Sequence, residues 1–520
     1  MTEVVPGSGH GPDGAAPAES VRCPGWPGWS GGVHAITLAI GLAVLGMASR
    51  GHWFVTDEWA FLTDRRLSDI WELFVPHNEH WSTLPIVLWR GLFAAVGLHS
   101  YWPYQVIGLA VHLGLAHLLW RVQHRARVAA GVAIATTGLF VVFGAGGENI
   151  LNAFGMTFNA AVLLGLGQVL LVDHDGPFDR RDLWGLVLGV TGLLCSGVAV
   201  TMVAVAGLTA LLRRGWRAGV VTVAPPAAVF IVWLMLVGRG SLGVMRAWEP
   251  GQIHAFAWHG LTTTFDVATS TTGKGGLALV GLGLWLLRHR GELGGRLAAT
   301  TACALGAVTF FAILGLGRAM FSLAHAETSR YLYISGGLLI PAVGGALSDL
   351  TANRRFARSA AIVLVVLIAA NGTRLLFSRS AFERGIEQSQ RRLVLAAARL
   401  DLPPSEVAAM VAPVPLAPHL DYTELQEMSQ QGKVPANEDI TRDWELAALT
   451  ILKVSTSPTP RLPLGPQGDG PTVLAPGPGA WTANSGCLRV GPRTAPSEVV
   501  LHVTVPVALP LRASFDNVRV

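Results

Sequence analysis

The stretch WFVTDEWAFL, residues 53–62, sets Asp57 and Glu58 side by side among Trp53, Phe54, Trp59, Phe61 and Leu62. Carboxylates inside an aromatic collar are costly to desolvate, so the pair needs a reason. One reading is a helix end, with charge facing water where an apolar segment stops. The other is a general base and its partner in a cleft. A carboxylate half-buried among aromatic rings has its pKa raised and takes a proton more readily. A second polar stretch follows at once. LFVPHNEHWSTLP (73–85) packs His77, Asn78, Glu79 and His80 between two prolines, flanked by Trp71 and Trp81. Ending a helix does not require so dense a polar run. The two histidines suit a phosphate, a metal ion or hydrogen bonds within the loop. A spacing of three with no third ligand is a weak metal signal.

Two later stretches carry more charge. GAGGENILNAFG (144–155) holds Glu148 and Asn149 with no Lys or Arg nearby in sequence. This acid either faces the same cleft as Asp57 or is simply solvated. GRAMFSLAHAETSRYLY (317–333) brings Arg318, His325, Arg330 and Tyr331. A guanidinium is built for bidentate grip on phosphate; anchoring to lipid headgroups is the alternative. For Lys274, in TTGKGG, anchoring is the better reading.

These residues need a scaffold, and composition states its class. The chain has 520 residues, 51% hydrophobic and 14% charged, with mean hydropathy +0.46. Soluble domains carry about 25% charged residues. This balance predicts an all-α polytopic membrane protein embedded in a lipid bilayer. Apolar segments fall near 33–49, 102–120, 128–145, 156–172, 183–212, 218–237, 276–287, 298–315, 331–349 and 359–371. The run 183–212 is too long for one span. Split at Ser196-Gly197 into two short helices, it brings the expected count to about eleven spans.

Arginine sets the expected orientation. RVQHRAR (121–127), DRRD (179–182), RRGWR (213–217), RHRGELGGR (288–296) and NRRFAR (353–358) fit one alternating path as cytoplasmic turns. The path requires that 82–98, with Arg90 in its centre, lie on the outer interface as a juxtamembrane helix. The N-terminus is then inside and the C-terminus outside. Asp57, Glu58, Glu148, the loops 238–275 and 316–330, and the tail all share the outer side. The net charge of +5 is spread over short arginine clusters, with lysine only at 274, 433 and 453, and does not suggest nucleic acid. Cys23, Cys195, Cys303 and Cys487 lie far apart, with no disulfide or metal spacing. Residues 1–32 are Gly/Pro-rich without a basic n-region and read as a disordered cytoplasmic tail. A membrane domain spans 33–371, with a first outer loop at 50–101. An extracytoplasmic helical region (372–454), a Pro/Gly linker (455–480) and a short β-rich segment (481–520) complete the chain. Together these last three form a small α+β region.

The order DEWAFL, PHNEHW, GENILNAF, SRYLY, all on one side, resembles the GT-C superfamily, in a bacterial branch. These are polytopic glycosyltransferases that include protein O-mannosyltransferases and aminoarabinose transferases. The resemblance covers about 33–371. It implies that Asp57, with Glu58 beside it, is the general base for an inverting transfer. The donor would be a hexosyl or pentosyl polyprenyl phosphate, and the acceptor a glycan, lipid or protein outside the cytoplasmic membrane. Arg318 and Arg330 would meet the leaving phosphate, with His77, Glu79, His80 and Tyr331 completing the substrate site. Members that use a divalent cation, Mg or Mn, bridge it through a second acid, which here is Glu148 next to Asn149. The tail lacks a WWD-type motif, which speaks against an oligosaccharyltransferase. Two other classes stay open: a transporter or flippase of lipid-linked sugars, and a non-catalytic envelope scaffold. A transporter is expected to carry broken, polar helices near the midplane, often in repeated halves. Here the acids gather at one face and no repeat is visible.

Overall fold

The computed structural model describes residues 27–453, except 64, 66–68, 241–248, 353, 403–416, 418 and 437–439, and four short strands beyond them. Residues 1–26 of the expected tail and most of the linker and β-rich segment lie outside the described residues, while the last residues of that tail, from Trp29, already belong to the first helix. In chain order the α-helices are Trp29–Ala48 (α1), Asp57–Leu62 (α2), Thr83–Val96 (α3), Trp102–Arg125 (α4), Ala130–Val141 (α5), Gly147–Leu151 (α6), Met156–Val172 (α7), Arg180–Leu193 (α8) and Val198–Arg214 (α9). They continue as Trp216–Leu236 (α10), Pro250–Thr269 (α11), Gly275–Arg288 (α12), Ala298–Arg318 (α13), Ser329–Thr351 (α14), Arg355–Arg399 (α15), Tyr422–Gln430 (α16) and Arg442–Lys453 (α17).

Among the described residues, eight helices are long and apolar enough to cross a membrane. That is fewer than the eleven expected. The run 183–212 does divide, since α8 ends at Leu193 and α9 begins at Val198. The two pieces have 14 and 17 residues, or about 21 and 26 Å at 1.5 Å per residue. A bilayer core is about 30 Å thick, so each falls short by length alone. Segment 82–98 forms the expected short helix, α3. Its Arg90 bonds the carbonyl of Leu62, so the charge is used rather than exposed to lipid.

The helices separate two ends of the bundle. At one end the arginine-rich turns pair with aspartates. Arg214 meets Asp182 at 2.5 Å, Arg213 meets Asp173 at 3.0 Å and His289 meets Asp349 at 3.2 Å. At the other end lie Tyr101, Phe154, Gly197, Arg318 and Arg330, where α4, α7, α9, α13 and α14 begin or finish. The α8–α9 break belongs to this second end: Leu194 accepts from Leu84 N–H at 3.1 Å, and Gly197 packs against His80.

Two regions differ from expectation. The loop expected over 238–275 contains α11, which buries Phe256, Gly260, Leu261 and Thr264 against the bundle. His254, His259 and Asp266 lower its hydropathy, which is why no apolar run marks it. The expected boundary at 371/372 falls inside α15, one continuous helix of 45 residues. At that point α15 touches the turn after α5, where Gly372 and Gly144 meet backbone to backbone and leave no room for a Cβ on either. The far part of α15 carries α17 and α16, and Lys433, just past α16, docks on the end of α3: Leu98 N–H donates to Lys433 O at 2.7 Å. Beyond Lys453, Thr472–Val473 (β1) pairs antiparallel with Leu501–His502 (β4), and Trp481–Asn484 (β2) with Cys487–Val490 (β3).

Candidate functional site

The collar of WFVTDEWAFL is a packed aromatic core. Phe54 meets Tyr101 and Tyr104 edge-on at 5.0 Å, and Trp53 meets Trp59 at 5.5 Å. This core fixes α2, and α2 points its first two residues in different directions. Asp57 faces a cavity. Glu58 is fully buried and accepts from Val55 N–H at 2.9 Å, Tyr101 O–H at 2.7 Å and Phe154 N–H at 3.1 Å. It therefore clasps three segments together and does not line the cavity. Thr56, the residue before Asp57, has φ 42° and ψ −117°. A β-branched residue with positive φ is a genuine outlier. Such strain persists only where the surroundings impose it, and it gathers at functional sites.

The PHNEH stretch folds as a tight reversal. His77 and His80 exchange both backbone hydrogen bonds at 2.9 Å, and Asn78 takes φ 51° at the turn. Trp233 Nε1 bonds Phe74 O at 2.8 Å and stacks on Trp81, which pins this loop to α10. His77 lies edge-on to Phe61 and sets Nε2 3.6 Å from Asp57 Oδ1. Glu79 pairs with Arg318 at 2.5 Å.

Asp57, Asn78, Glu79, Arg318, His325, Arg330 and Tyr331 line a polar cavity of about 700 Å³. An apolar recess of about 260 Å³ shares most of these residues and adds His77, His80, Phe154, Phe158, Phe230 and Phe310. Nine residues singled out in the sequence thus converge: Asp57, His77, Asn78, Glu79, His80, Arg318, His325, Arg330 and Tyr331. Glu58 and Asn149 stand apart. Asn149 is buried and trades hydrogen bonds with Asn159. Glu148 does not line either cavity; it pairs with Arg330 at 3.4 Å and Arg379 at 3.8 Å. Lys274 is exposed at the start of α12. Arg379 and the phenylalanines of the recess carry no local signal in the sequence.

The electrostatics reverse one expectation. His77 beside it holds the Asp57 carboxyl below its ordinary range, outweighing partial burial. The raised group is Glu58, which burial pushes up to about 8 against the pull of its three donors. Burial also pushes His80 down to about 4. Asp57 is therefore an ionised acceptor, and His80 is neutral near pH 7. The donor set at Glu148 does not suit a divalent cation, because its carboxylate faces two guanidinium groups.

No family model, no curated protein and no solved structure matches this chain. The chemistry must come from the site. An ionised carboxylate can take a proton, two guanidiniums can receive an anion, and an apolar recess adjoins both.

Proposed function

We propose that the protein is a membrane glycosyltransferase. It moves a sugar from a polyprenyl-phosphate donor to an acceptor hydroxyl outside a bacterial cytoplasmic membrane. The observation that carries this reading is one cavity holding Asp57 together with Arg318 and Arg330. The acceptor oxygen attacks the anomeric carbon, and the bond from that carbon to the phosphate oxygen breaks with inversion. The acceptor proton goes to Asp57. The charge left on the lipid phosphate meets the two guanidiniums, which stabilise it most where water is excluded. Phe154, Phe158, Phe230 and Phe310 give the apolar recess a surface for a hydrocarbon tail. No step runs through a metal ion at Glu148.

This reading places the arginine-rich turns inside and the cavity outside. It counts α8, α9 and α12 as short crossings beside the eight long ones, for eleven. The test is transfer in detergent from a panel of radiolabelled polyprenyl-phosphate sugars to crude envelope acceptor. Wild type should transfer label, and Asp57→Asn should transfer it about 100-fold more slowly or worse. Absence of transfer across the whole panel would favour a transporter of lipid-linked sugars or an envelope scaffold.

A further inference from the structure

A row of side chains on α15 reaches both halves of the site. Arg379, Glu383 and Glu387 stand four residues apart, on one face of the helix. Arg379 Nε donates to Glu383 at 2.6 Å, and its Nη2 lies 3.8 Å from Glu148 Oε2. The other oxygen of Glu148 lies 3.4 Å from Arg330 Nε. That nitrogen is buried and makes no hydrogen bond among the described residues, so Arg330 is oriented by charge rather than locked. Further along, Glu387 accepts from Trp53 N–H at 2.9 Å and pairs with His52 at 2.9 Å. His52 also bonds Ser380 of the same helix at 3.1 Å. Thus α15 grips the connector that leads to Asp57 and, through Glu148, the guanidinium in the cavity.

We infer that Arg379 is a positioning residue for Arg330, a role that rests on the anion-binding reading of the cavity. Glu148 is shared between two cations. With Arg379 present, its charge is divided, and the Arg330 guanidinium keeps donors free for a phosphate. With Arg379 removed, Glu148 turns its whole charge on Arg330 and draws it out of the cavity. The backbone supports this geometry. Glu148 N–H donates to Ser329 Oγ at 3.2 Å, beside Arg330, and Gly147 lets Arg379 lie against the turn. The pairs are partly exposed, so the expected effect is moderate.

The probe is farnesyl phosphate, titrated calorimetrically against the full chain in detergent. Wild type should bind. Arg330→Gln should weaken binding at least tenfold. Arg379→Met should weaken it about fivefold, and Arg379→Lys should restore most of the loss. The double variant should bind no worse than Arg330→Gln alone, since two residues acting through one group are not additive. A merely structural role for Arg379 would give additive losses. If Arg379→Met does not fold, Arg379→Lys read against wild type with Glu148→Gln serves instead: Glu148→Gln should abolish the difference between them. Wild-type affinity in Arg379→Met, or additive losses, overturns the role of Arg379 while leaving the cavity's function standing. Failure of wild type to bind overturns both.

Discussion

Glu79 and Arg318 form an ion pair of 2.5 Å between positions 239 residues apart in the chain. The pair joins the PHNEH reversal to the end of α13. It sets a cation beside Asp57 while neutralising a carboxylate that would otherwise repel an anion. Both side chains are about one quarter exposed, so solvent screens the attraction and the pair contributes more to placement than to stability.

Arg318→Gln should therefore raise the donor KM at least tenfold, since it removes a guanidinium and leaves Glu79 unpaired at the cavity wall. Glu79→Gln added to it should recover part of that loss. Steady-state kinetics on the four-member cycle measures the coupling. Strictly additive effects would mean that the pair does not act as a unit.

Asp57→Asn should lower the transfer rate by about 100-fold or more, the range for a lost general base. His77 holds the Asp57 carboxyl low, so the wild-type rate should persist as pH falls through about 5. It should drop only below the usual carboxylate value of about 3.9. A wild-type rate that instead falls by half near pH 6 would assign the base to another group.

Glu58 titrates in the opposite sense. Its folded pKa, about 8, lies above the ordinary value of 4.5. Between those values the folded chain keeps a proton that the unfolded chain releases. Stability from this group is thus complete below about 4.5 and is lost as pH rises towards 8. Glu58→Gln should flatten that slope in thermal melts recorded across the range. Glu58→Ala should cost about 2–4 kcal/mol, because it strands buried donors of three segments. Parallel slopes for wild type and Glu58→Gln would refute the assignment.

Thr56→Gly should raise the melting temperature and slow the reaction. The strained backbone costs about 1–3 kcal/mol, and glycine relieves it at an entropic cost of about 0.5–1 kcal/mol. Asp57 is then less firmly aimed at the cavity, and transfer should fall several-fold. A variant that melts and reacts like wild type would show that Thr56 stores no strain relevant to Asp57.

What the sequence determined by itself is local. Apolar runs bounded by arginine marked most of the long helices. Ser196-Gly197 marked the α8–α9 break, a property set within one segment, while α3 was marked by Arg90 in its centre together with the alternation of the arginine-rich turns along the chain. The sequence also gathered the polar residues that line the cavity, since they cluster where apolar segments end. The tertiary structure decided their division of labour. Successive helical residues diverge by about 100°, so Asp57 meets the cavity while Glu58 enters the core, a difference that adjacency in sequence hides. Glu148 has no cation within its own stretch and finds Arg330 and Arg379 only when α14 and α15 close on the GAGG turn. Glycine permits that approach: a Cβ on Gly146 would lie 2.7 Å from Tyr333 Cβ. The helix α11 stayed hidden because its stabilisation comes from one buried face rather than from overall hydropathy. The unbroken α15 stayed hidden because its apolar run ends at residue 371 and a polar stretch follows, whereas the helix runs on and Gly372 is where it touches its neighbour. Hydropathy and charge are read one segment at a time, but contact between segments depends on packing that no single segment encodes.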